Sequence, residues 1–68
     1  MILSQDEEII IEGIKDGNSN SRQLILTTGF KTAKVKEVLS SLSKKGVILI
    51  IKKFDSNYNE EVWEVELT

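Results

Sequence analysis

Apolar and polar positions along this chain follow two different periods, and the change of period divides it into a helical part and a strand part. In the first stretch Ile9, Ile10, Ile11 and Ile14 recur at helical spacing, with Ile10 and Ile14 on the predicted core face and Ile9 and Ile11 on either side. Ser4-Gln5-Asp6-Glu7 precedes them as a capping box: the Ser4 hydroxyl accepts from the Glu7 N–H while the Glu7 carboxylate accepts from the Ser4 N–H. Acids at positions 6 to 8 also suit the positive end of a helix dipole. This predicts a first helix over about residues 5 to 16, ending at Gly17. Gly13 inside it costs up to about 1 kcal/mol against alanine, which points to close approach of another backbone.

Gly17-Asn18-Ser19-Asn20 reads as a turn, with Ser21 as N-cap of a second helix over about residues 21 to 28. Leu24 and Ile25 are its inward positions. Thr27-Thr28-Gly29-Phe30 breaks the pattern, and Gly29 can take the left-handed conformation that ends helices. Periodicity then resumes with Val35, Val38, Leu39 and Leu42 on one face of a third helix, from Lys31 or Thr32 to about residue 45, stopped by Gly46. Two amphipathic helices joined by so short a turn must pack across one another, which is a helix-turn-helix arrangement.

Beyond Gly46 the period changes to that of strands. Val47-Ile48-Leu49-Ile50-Ile51 is rich in β-branched residues and predicts a strand over about residues 47 to 54. Residues 55 to 60 form a polar loop with Tyr58 exposed at its tip. In a second strand, about residues 61 to 67, Trp63, Val65 and Leu67 share one face and Glu64 and Glu66 the other. An isolated hairpin is marginal in water, so this one is expected to pack by one face on the helices, with Phe54 and Trp63 as packing aromatics.

Helix, helix, turn, helix and hairpin in this order resemble the winged helix-turn-helix DNA-binding proteins over nearly the whole chain. Ile25, Gly29, Val35 and Val38 stand where that family has a second-helix aliphatic, a turn glycine and two recognition-helix aliphatics. The segment from Leu39 through Leu42, Lys44, Lys45 and Gly46 to Ile48 is similar to its helix end before the wing. The resemblance implies a single α+β domain over residues 1 to 68, with a third helix that enters a major groove and a two-stranded wing. It makes Lys31, Thr32, Ala33, Lys36, Glu37 and Ser40 the base readers. Lysine can donate to guanine, glutamate can accept from cytosine N4, and a small alanine can lie against a thymine methyl. Glu37 has the alternative of pairing with Lys34 or Lys44. Two departures stand out: Lys31 replaces the usual capping serine or threonine, so that Thr32 caps or the helix is less well capped, and the wing loop carries Asp55 and Glu60 with no base. The wing is therefore expected to act as a support.

Charge sharpens this picture. The 68 residues carry a net charge of −2, yet residues 1 to 21 hold −4, residues 22 to 53 hold +7 and the remainder −5. Nearly all positive charge thus falls on the helix-turn-helix and the first strand. Arg22, Lys34, Lys44, Lys52 and Lys53 are candidates for phosphate contacts, and about five such contacts predict a slope of log K against log salt near −4 to −5. With neither cysteine nor histidine, zinc ligands and the commonest nucleophiles and bases are missing, and a metal site would need carboxylates alone. No enzyme, cofactor, metal or small-molecule site is expected. The longest apolar run, residues 47 to 51, is too short to cross a bilayer, and acids stand where a signal peptide needs bases. A cytoplasmic protein is expected, nucleoid-associated if it binds DNA. Its partners would be double-stranded DNA and a second copy, docked through Ile2, Leu3, Ile9 and Ile11 or outward hairpin residues. The competing expectation is a winged-helix interaction module within a larger transcription or replication complex, which the acidic total and acidic wing favour.

Overall fold

The computed structural model describes residues 2 to 68. Helices α1 (Gln5–Lys15), α2 (Ser21–Thr28) and α3 (Thr32–Lys44) are followed by an antiparallel hairpin of β1 (Ile48–Asp55) and β2 (Glu60–Leu67). This α+β layout is that of a winged helix-turn-helix. No helix among the described residues is long and apolar enough to cross a membrane.

Each helix starts and stops for an identifiable reason. Ser4 and Glu7 form the reciprocal capping box at α1. At α2 the cap is Asn20, not Ser21: its side chain accepts the Gln23 N–H at 2.9 Å. Ser21 lies one residue further in, buried, where its hydroxyl accepts the Trp63 backbone N–H at 3.1 Å. α2 ends at Gly29 with φ of 75°, a left-handed conformation that a Cβ would penalise. Lys31 is the N-cap of α3 and supplies no capping bond, so that helix starts without side-chain help. Gly46 N–H to Ser43 and Val47 N–H to Leu42 close its other end, which delays β1 to Ile48 rather than Val47.

The core lies between the helices and one face of the hairpin. Ile10, Leu24, Val35, Leu39, Leu42 and Ile48 are fully enclosed, joined by Ile11, Val38, Trp63 and Val65. A Cβ at Gly13 would stand 2.8 Å from Leu24 Cδ2, so an alanine in α1 there must push the buried Leu24 aside. The close neighbour is a side chain, where the sequence suggested a backbone. Ile11 belongs to the core and Leu3 packs half-buried against it, while Ile2 and Ile9 are exposed.

The register runs from Ile48↔Leu67 to Asp55↔Glu60, leaving residues 56–59 as the turn. Ser19 O accepts the Val65 N–H at 2.8 Å, and Asn20 bridges to Glu64, so the α1–α2 connection lies along the far edge of β2. The helices bury only the base of the hairpin, and toward its tip only the long side chains of Arg22 and Lys36 reach it. Phe54, near the tip, is 67% exposed and not a packing aromatic.

Candidate nucleic-acid interface

α3 turns Val35, Val38, Leu39 and Leu42 into the core, and this commits its opposite side to solvent. Thr32, Ala33, Glu37 and Lys44 are exposed there, Ser40 is half-buried, and Lys31 is exposed at the N-cap. Among the described residues none of these side chains makes a hydrogen bond, ion pair or cation–π contact, and neither Lys34 nor Lys44 reaches Glu37. A helix face of small and polar side chains is thus unoccupied by the rest of the fold.

The cations divide into two groups. Arg22 is paired with Glu60 at 3.0 Å, Lys34 with Asp6 at 2.9 Å, Lys53 with Glu64 at 3.0 Å, Lys45 with Glu7 at 2.7 Å and Lys15 with Glu12 at 3.7 Å. Lys31, Lys36, Lys44 and Lys52 have no carboxylate partner among the described residues. Three of these four lie on α3 or its cap, and the fourth lies beside them. Lys36 is half-buried, donates to the Glu61 carbonyl at 2.8 Å and stands 5.4 Å from the Trp63 ring. Lys52 stands 4.7 Å from the same ring. The indole thus gathers two ammonium groups at the junction of α3 and the hairpin, an arrangement that cation–π attraction favours.

The candidate site residues therefore do not form one surface. Lys31, Thr32, Ala33, Glu37, Ser40 and Lys44 share the outer side of α3, with Lys36 and Lys52 on its hairpin flank. Lys34 leans toward α1. Lys53 projects from the opposite face of the hairpin, by strand alternation, with Leu49 and Ile51. Arg22 holds the wing to α2: besides Glu60, its guanidinium lies 3.5 Å from the centroid of Tyr58, which gives that loop tyrosine a partner the sequence did not suggest.

Two clusters escaped the sequence reading altogether. Trp63 as a cation platform is one; its indole N–H donates to Glu61 at 2.7 Å, which fixes the ring. The other is Glu7, only 4% exposed, which accepts from both the Lys45 ammonium (2.7 and 2.9 Å) and the Ser41 hydroxyl (3.0 Å) besides its capping bond. The Lys45 ammonium and the Ser4 backbone N–H bring its carboxyl down to about 2, against the upward push of burial. The capping box announced Glu7, but its partners 34 and 38 residues away carried no local signal. A shallow groove between α1 and α2 is lined by Glu8, Glu12 and Asp16 with no base, which suits no phosphate.

No family model, no curated protein and no solved structure matches the chain.

Proposed function

We propose that this chain is a winged helix-turn-helix protein that binds double-stranded DNA through α3 and serves as a small transcriptional regulator. The observation that carries the reading is the division of the cations: acids engage Arg22, Lys34, Lys45 and Lys53, and leave Lys31, Lys36 and Lys44 of α3 and its cap without a carboxylate partner among the described residues, with Lys52 beside them. A 13-residue helix is about 20 Å long, enough to lie along several base pairs of a major groove. Thr32, Ala33, Glu37 and Ser40 offer base edges a methyl contact, hydroxyls and one carboxylate acceptor. Lys31 and Lys44 at the ends of the helix, and Lys36 with Lys52 beside Trp63, would hold phosphates. Lys36 thereby moves from base reading to positioning, because its ammonium is already drawn toward the hairpin.

The protein-interaction reading also has an observation in its favour. The ion pairs of Arg22, Lys34, Lys45 and Lys53 offset half of the basic residues in the +7 segment. Fluorescence anisotropy of a labelled duplex at low and moderate salt separates the two. Salt-sensitive binding is expected, and Lys36→Ala with Lys44→Ala should weaken it at least about tenfold while lowering the salt slope by about 2. The thermal midpoint should stay within a few degrees. Wild-type protein without salt-sensitive binding would replace DNA with a protein partner.

A further inference from the structure

The hairpin has one closed edge and one open edge, and the hydrogen bonds fix which backbone groups the open edge presents. The Thr68 N–H donates to Val47 O at 3.1 Å. This sets the phase of the ladder: odd-numbered residues of β1 turn their N–H and C=O toward β2, and Ile48, Ile50, Lys52 and Phe54 turn theirs away. The same phase holds on β2, whose outward Trp63 and Val65 N–H groups are taken by Ser21 and Ser19. Nothing among the described residues takes those of Ile50, Lys52 and Phe54, whereas Ile48 at the base of the strand is enclosed. The strand is eight residues long, contains no proline, and carries the exposed apolar side chains Leu49 (56%), Ile51 (49%) and Phe54 (67%). Such an edge is a template for another strand.

We infer that the open edge of β1 pairs antiparallel with β1 of a second copy, in a register centred on Ile51. The register follows from the phase. Hydrogen-bonded pairs must join outward-facing residues of both copies, so any shift by one position makes no ladder. A centre at Ile51 sets Ile50 of each copy opposite Lys52 of the other, using the outward groups of both residues in both copies, while the enclosed Ile48 takes no part. A centre at Ile50 would need the enclosed Ile48 to pair with Lys52. A centre at Lys52 sets Lys52 against itself.

The side chains agree with the backbone in this register. The two Ile51 residues meet on the two-fold axis, and Leu49 faces Lys53, whose charge is already paired with Glu64. No like charges stand directly opposite. The two-fold runs perpendicular to the sheet, so both α3 helices lie on the same side of a four-stranded sheet. The occupant is a second copy because the edge is complementary to itself in hydrogen bonds, charge and apolar contact at once.

The test contains no DNA, so its result is independent of the proposed function. Sedimentation from about 1 µM to about 1 mM, the span of weak to moderate interfaces, should show a species of twice 7.7 kDa. Ile51→Lys sets two ammonium groups against each other on the axis and should give a monomer with an unchanged circular dichroism spectrum. Because the chain has no cysteine, Ile51→Cys is a clean reporter. Its two sulfurs would sit across a non-hydrogen-bonded pair about 4.5 Å apart at Cα, within reach of a disulfide. Lys53→Cys, with its two copies about 13 Å apart along the strands, should cross-link far more slowly. A monomer throughout that range would overturn the inference, with Lys52 and Lys53 then guarding a solitary edge. So would a dimer that survives Ile51→Lys, or cross-linking at position 53 as fast as at 51.

Discussion

Glu7 ties the start of α1 to the end of α3 with a single carboxylate, and its chemistry makes that tie dependent on pH. Its folded pKa of about 2 lies below the ordinary 4.5. A depressed carboxyl contributes stability that is fully present above about pH 4.5 and is lost as pH falls through 2. Glu7→Gln should therefore unfold at lower urea than wild type at neutral pH, with the gap closing between pH 4.5 and 2. A gap that persists to pH 2 would mean that shape rather than charge holds the two helices. Gly13 makes a different argument at the same scale. Alanine gains about 1 kcal/mol of helix propensity there, but its Cβ meets the fully buried Leu24 at 2.8 Å. Overpacking of a core costs about 1 to 3 kcal/mol, so Gly13→Ala should be destabilising by about 1 kcal/mol and lower the thermal midpoint by roughly 4 to 8 °C.

Between elements, the Ser21 hydroxyl is the joint of α2 to β2. It accepts the buried Trp63 N–H, and removing it leaves a backbone donor with no partner, at a cost of about 1 to 3 kcal/mol. Ser21→Ala should lower the urea midpoint accordingly, and more than Asn20→Ala, which removes an exposed helix cap at about 1 kcal/mol. The reverse order would mean that the Asn20 cap matters more than the Ser21–Trp63 bond and that the hydroxyl is not what joins α2 to β2. These two residues also show where the sequence was legible and where it stopped. The helices and strands were written in their periods, the capping box in four residues, and the inward face of α3 in Val35, Val38, Leu39 and Leu42. The choice between Asn20 and Ser21 was not, because both can cap a helix and a Trp63 N–H 42 residues away decides it. Phe54 follows the strand alternation but lies beyond the reach of the helices, and alternation reports a face, not what covers it. The candidate interface was legible as a helix face, since that follows from α3 alone. Which lysines remain free was not, since each pairing joins segments distant in sequence.

At the scale of the whole molecule, those pairings turn an acidic-basic-acidic chain into a structure with one basic flank. Asp6 and Glu7 reach from the first segment to Lys34 and Lys45, while Glu60 and Glu64 reach from the last to Arg22 and Lys53. The acids that frame the sequence thus pair half of the basic segment and leave Lys31, Lys36, Lys44 and Lys52 without a carboxylate among the described residues. If only Lys31, Lys36, Lys44 and Lys52 meet phosphates, log K should fall with log salt at a slope near −4 per protomer, against about −7 if all eight basic residues of that segment took part. The exposed pairs are worth at most about 1 kcal/mol each, so removing their acids should redirect their cations with little loss of stability. Asp6→Asn with Glu60→Gln frees Lys34 and Arg22 together. If the α3 face lies against the duplex, both freed cations flank it, and the double variant should bind tighter with a slope steeper by about 2. An unchanged slope would place Lys34 and Arg22 off the path of the phosphates and narrow the interface to α3 and the Trp63 flank.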